Sequence, residues 1–281
     1  MNNLLSKFDD IEVNNNIRIS VLDQEFCEDQ ERQYKESIRI QQEFLRSFKE
    51  ISGIDLLADR YTNQNTKNKY LDWYKFDKIA ELAKETKIKF IHEIIWYFEK
   101  QYNVTINSDS MGKKYDFDIN YNDILDHIFI QLGGFNFEEK AVKEIKDKLK
   151  DKVMRGCDNR IDVLIKNKKV VFPDYFYIDS WDKKWGELKI SYSAYKNFDI
   201  LLTALSHYEQ EITHNTYQGV YKTITNETGE KVFKDHCLMC IKAESMKIFK
   251  NGKIEITFLN SEYAQQFAKE YCGYISEQKT A

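Results

Sequence analysis

Residues 245–259 constrain what this chain can fold into more than any other segment. Within them, Asn251-Gly252 separates two apolar, β-prone runs. Asn-Gly is the residue pair best suited to a two-residue type I′ turn, in which both central residues take positive φ. A β-hairpin is therefore predicted. Just beyond it, Ser261 is placed to cap a helix on which Ala264, Phe267, Ala268 and Tyr271 share one face. A chain with both features cannot be purely helical.

Upstream, the apolar spacing is helical. The polar, Asn-rich first twenty residues hold a short predicted strand over 17–22. A long helix is predicted over 24–51, with Phe26, Tyr34, Ile38, Leu45 and Phe48 inward and Gly53 as its stop. A second spans 77–102, with Ile79, Leu82, Ala83, Phe90, Ile91, Ile94, Ile95 and Phe98 as its stripe. The two are expected to pair antiparallel as a helical module over 1–115. Shorter helices follow at 124–132 and from Asn136, where Asn136 and Glu139 have capping-box spacing.

Beyond Gly156 the period shifts toward two. Strands are expected at 160–166, 170–172, 175–178 and 187–192, then a helix over 195–208 and a long polar loop or irregular hairpin over 211–234. The fold class is therefore α+β. The helical module is followed by a mixed domain over 116–281, with a mainly antiparallel sheet, the hairpin and a capping helix. One proline and ten glycines leave few breaks in 281 residues.

Composition narrows the function classes. An aromatic fraction of 14% and a hydrophobic fraction of 42% suit a packed globule. A net charge of −4 gives no general attraction to phosphate, so any nucleic-acid surface has to be a local patch. No apolar run is long enough to span a bilayer and the first residues do not resemble a signal peptide. Five scattered cysteines favour reduced thiols, and a cytoplasmic protein without a membrane role is expected. Neither a Gly-rich phosphate loop nor a G-x-S-x-G elbow occurs, which argues against a self-contained NTPase, a Rossmann methyltransferase or an α/β-hydrolase.

Four constellations could carry chemistry. Pro173-Asp174 with Glu187-Leu188-Lys189 matches the PD-(D/E)xK nuclease pattern, in which two carboxylates hold Mg²⁺ and a lysine orients the attacking water. Acidic residues and lysines are abundant here, so the triplet arises readily by chance, and Asp174, Glu187 and Lys189 are expected to diverge. His92-Glu93 begins a zinc-protease motif, but Trp96 occupies the place of the second histidine, so His92 is expected to be a partly buried helix residue. His236, Cys237 and Cys240 supply half a zinc site, read instead as a strand or turn with two buried thiols. Finally, Tyr175, Tyr177, Trp181 and Trp185 interleave with Lys183 and Lys184, while Lys247, Lys250 and Lys253 surround the hairpin turn. Aromatics among lysines can stack bases and bind phosphates. The same residues can equally fill a core or solvate a hairpin edge.

The hairpin Phe249-Lys-Asn-Gly-Lys-Ile-Glu-Ile-Thr-Phe258 resembles the Phe-Lys-Asn-Gly-Asn-x-His-Leu-x-Phe hairpin of the domain-of-unknown-function family 4942, which is borne by phages, prophages and plasmids. The order of elements is similar too: an apolar helix running into Gly133-Gly134, the strand at 168–172, the turn at 178–186 and the Leu-rich helix at 201–205. The resemblance covers about residues 118–273. Glu255 stands where the family carries a histidine, so no role of that imidazole transfers. The family implies a mobile-element accessory protein touching host nucleic-acid or defence systems, and it implies no reaction.

The leading expectation is a non-enzymatic, cofactor-free mobile-element protein that binds nucleic acid or a host nucleic-acid-handling or defence complex, with inhibition of host defence as one such role. A Mg²⁺-dependent nuclease and a partner-binding module stand as the alternatives.

Overall fold

A computed structural model describes residues 19–58, 68, 70–71, 76–155, 160–178 and 188–275. The fold is α+β, and the chain divides into two compact units, Met1–Phe137 and Glu138–Ala281. The division falls later than residue 115 because the helix Tyr121–Leu132 packs on the two long helices Val21–Ser52 and Asp77–Tyr102.

In the first unit, α1 (Val21–Ser52) and α2 (Asp77–Tyr102) carry the long apolar stripes. Rings meet as Phe26 on Tyr97, Tyr34 on Phe90 and Phe48 on Phe76, so the partners run in opposite sequence directions and the pair is antiparallel. Two short helices, α3 (Met111–Lys114) and α4 (Tyr121–Leu132), complete this unit. The strand expected at 17–22 is not formed within its described part. Ser20 instead caps α1 in a reciprocal capping box with Asp23, which draws Val21 and Leu22 into the helix. Leu82, placed in the buried stripe by its spacing, is 49% exposed.

The second unit begins along α5 (Phe137–Val153), followed by the small ribbon β1 (Met154–Arg155) and β2 (Arg160–Ile161). Its main sheet comprises β3 (Leu164–Lys166), β4 (Lys169–Phe172), β5 (Asp235–Cys237), β6 (Ala243–Ile248) and β7 (Ile254–Phe258). The strands lie in the order β3-β4-β7-β6-β5, and every neighbouring pair is antiparallel. Between β4 and β5 run α6 (Tyr195–Gln210) and α7 (Gln218–Asn226); α8 (Ser261–Cys272) follows β7. Phe198, Leu201, Leu202 and Leu205 of α6 and Ala264, Phe267 and Tyr271 of α8 form one core with Ile254, Ile256 and Phe258 of β7.

Several expectations are corrected here. The polar stretch at 211–234 contains α7, and its Ile224 is fully buried. The strands at 175–178 and 187–192 reduce to one bridge among the described residues, Ile178 to Ile190. Asn260, not Ser261, caps α8 by accepting from the Tyr263 amide. Glu209 closes the end of α6: its carboxylate accepts from the amides of Ile241, Lys242 and Ala243 and holds the start of β6 in place. Among the described residues no helix is long and apolar enough to cross a membrane.

Candidate functional site

Alternation along β7 sends Ile254, Ile256 and Phe258 into the core and turns Glu255 and Thr257 to the opposite face. The register sets Lys247 of β6 opposite Glu255, and Lys169 of β4 opposite Thr257. Lys169 is thus a diagonal neighbour of Glu255, within reach of a long side chain. Its ammonium lies 3.1 Å from Glu255 Oε2, while the ammonium of Lys253 lies 2.9 Å from Oε1. Partial burial disfavours the ionised carboxylate, but the hydrogen bonds from Lys253 and Lys169 outweigh it and hold the carboxyl below its ordinary range.

Beside this trio stands the half-buried ring of Phe249, turned to the same face by the alternation that sends Ile248 inward. The ammonium of Lys253 lies 3.8 Å from the ring centroid and that of Lys247 lies 5.2 Å from it. Both are cation–π distances. An aromatic ring, three lysines and one carboxylate therefore share a small area of the outward sheet face.

The turn at the end of this hairpin differs from the expected type I′. Phe249 and Lys253 close a three-residue loop through Phe249 N–H to Lys253 O (3.0 Å) and Gly252 N–H to Phe249 O (3.2 Å). Gly252 takes the left-handed conformation at φ 87°, whereas Asn251 does not have positive φ. This is the pattern of a turn followed by a glycine bulge. Tertiary contact favours it, because the Gly252 carbonyl accepts from the amides of Tyr175 (2.8 Å) and Phe176 (3.4 Å). The hairpin tip is thereby docked on the segment after β4.

The same docking sorts the sequence-predicted residues. Tyr175 is core: it is 4% exposed, its hydroxyl donates to the Asn197 carbonyl at 2.7 Å, and its ring meets Phe172 and Phe198. It cannot stack a base. Tyr177, two residues on, is 74% exposed beside the tip, and its carbonyl accepts from the Ser191 amide. Trp181, Lys183, Lys184 and Trp185 lie outside the described residues, as does Glu187. Asp174 is exposed next to Gly252 and Lys189 is half-buried, so the described part of the nuclease triplet neither assembles nor separates the three groups. Lys247 and Lys253 are brought together at Phe249, and Lys250 is exposed on the turn.

The alternative metal set is not brought together. His236 and Cys237 are successive strand residues pointing to opposite faces, with His236 buried and Cys237 exposed. His236 Nε2 meets the Val232 carbonyl at 2.8 Å, and Cys240 Sγ contacts Leu238 O and the Tyr217 hydroxyl. The expected pair of buried thiols is thus corrected to one exposed and one half-buried. Among the described residues no three His, Cys, Asp or Glu side chains form a group that could hold a metal ion. His92 of α2, expected to be partly buried, is exposed.

Sequence reasoning missed Phe249, Lys169 and Glu255 as members of the site. The available signal was the alternation in β7, which marks Glu255 as outward, together with the apolar strand at 168–172 as a partner for the hairpin. Comparison with protein-family models, with curated proteins and with solved structures finds no match for this chain, so its function rests on geometry.

Proposed function

We propose that this protein is a non-enzymatic binder of single-stranded nucleic acid and that the outward face of the sheet at the β6–β7 hairpin is its contact surface. The observation that carries the reading is the Phe249 ring with Lys247 and Lys253 over it. A partly exposed aromatic side chain on a sheet face offers a stacking platform for an unpaired base, and neighbouring ammonium groups can meet the adjoining phosphates. A duplex keeps its bases stacked away from such a ring. Tyr177 beside the hairpin tip would extend the platform. The net charge of −4 fits a contact confined to a few lysines rather than a long phosphate track. The family resemblance supplies a setting, an accessory role on a mobile element.

The test is fluorescence anisotropy with a dye-labelled, mixed-sequence single-stranded oligonucleotide and the matching duplex across a salt series. Two or three phosphate contacts give a log–log salt slope of about −1.4 to −2.1 for a single strand. Phe249→Ala should weaken binding by about fivefold or more through lost stacking. Absence of binding at low salt overturns the reading. Metal-dependent cleavage of a plasmid, abolished by Asp174→Ala, would replace it with the nuclease. Capture of a protein partner without oligonucleotide binding would replace it with the partner-binding module.

A further inference from the structure

Glu255 sits beside the proposed stacking ring with both carboxylate oxygens occupied, Oε1 by Lys253 and Oε2 by Lys169. The carboxylate is 15% exposed, the Lys253 side chain 28% and the Lys169 side chain 43%. Both lysines are therefore reachable from solvent while their charge is spent on an internal acceptor. A phosphodiester oxygen is the same kind of acceptor as a carboxylate oxygen, anionic and able to take a charge-assisted hydrogen bond from an ammonium. An incoming phosphate must therefore compete with Glu255 for Lys253 and Lys169.

We infer that Glu255 is an internal counterion that occupies the phosphate positions of Lys169 and Lys253 and must be displaced when a single strand binds, thereby setting the affinity and salt dependence of this surface. The inference rests on the sheet face being the nucleic-acid surface. Two features distinguish the trio from an ordinary cross-strand pair. One carboxylate collects lysines from two different strand neighbourhoods, where a stabilising pair needs only one partner. Lys253 is also shared with the Phe249 ring at 3.8 Å, so leaving the carboxylate keeps its ammonium beside the stacking position. Exchange of one anionic partner for another keeps each partly exposed ammonium in a charge-assisted hydrogen bond.

The experiment compares the wild type with Glu255→Gln and with Glu255→Thr, a strand-favouring residue at an outward position, in the same single-strand anisotropy assay. Glu262→Gln, at the start of α8, removes the same charge away from the outward face and serves as the control. Freeing both lysines should tighten binding about 3- to 10-fold at low salt and steepen the salt slope by up to about 1.4. The Glu262→Gln control should leave both near wild type. Equal or weaker binding by the two Glu255 variants, when the wild type binds, overturns the counterion role and leaves the binding surface standing. An equal gain from Glu262→Gln also overturns it, in favour of net charge alone. If no protein binds, the surface and the counterion fall together.

Discussion

A Cβ placed on Gly252 would lie 2.5 Å from the carbonyl oxygen of Phe176, which joins the hairpin turn to the segment after β4 at a distance no side chain fits. Gly252 is thus required twice, by its φ of 87° and by this approach. Gly252→Val should destabilise the second unit by about 2–4 kcal/mol, since strain and a backbone clash act together. Denaturant unfolding measures it, and an unchanged midpoint would contradict the docked turn.

Glu209 is 8% exposed and accepts from three consecutive amides, the shortest contact being 2.6 Å to Ala243 N. Glu209→Gln directs an amide group against those donors and should cost about 2–3 kcal/mol. Hydrogen exchange at Ile241, Lys242 and Ala243 should accelerate in the variant. Protection equal to wild type would show that the loop is held by other contacts.

Tyr175 and Tyr177 are separated by one residue and should respond oppositely. Tyr175→Phe removes a buried hydrogen bond to Asn197 and should lower stability by about 1 kcal/mol without altering oligonucleotide affinity. Tyr177→Ala, at an exposed position, should leave the melting temperature in place and weaken single-strand binding. The reverse assignment would displace the proposed surface.

Acid should weaken the fold before the carboxylates titrate. Burial, helped by Lys146, lowers the pKa of His207 from its ordinary 6.5, and burial lowers that of His236 too, against the opposing hydrogen bond to Val232. Between the folded and unfolded values the unfolded chain binds more protons than the folded one, so stability drops as pH falls through about 6.5 and levels off below the folded values. Melting temperatures from about pH 7.5 down to about pH 5 should fall, and the double variant His207→Gln with His236→Gln should flatten that slope. A wild-type curve that is flat over this window would argue against buried neutral imidazoles.

Legibility in the sequence followed the range of the interactions. The second long helix could be read to its boundaries, Asp77–Tyr102, because its apolar stripe repeats many times within one segment. The β6–β7 pairing was readable from Asn251-Gly252, but the turn type was not, since contact with Tyr175 and Phe176 from elsewhere in the chain accompanies the bulged form. At 218–226 the apolar signal was too sparse, with Val220, Tyr221 and Ile224 among polar residues, yet packing of Ile224 accompanies a helix there. Lys169 and Glu255 lie 86 residues apart, and only the β4–β7 register makes them neighbours. Local pattern marks a residue as outward, but cannot say which distant residue shares its face.

The strand order β3-β4-β7-β6-β5 sets a timetable for synthesis. The strand that joins β4 to β6 is the last to be made, so a nascent chain that has emerged only through β6 holds two separate ribbons, each with an open edge where β7 belongs. Val170 and Phe172 of β4 and Met246 and Ile248 of β6 must wait for Ile254 and Ile256 to meet across the sheet. Non-local closure of this kind is slow and leaves apolar edges available to other chains. Shortening the chain to stop before Ile254 should therefore release aggregation-prone ribbons rather than a smaller folded protein, even though four of the five strands remain.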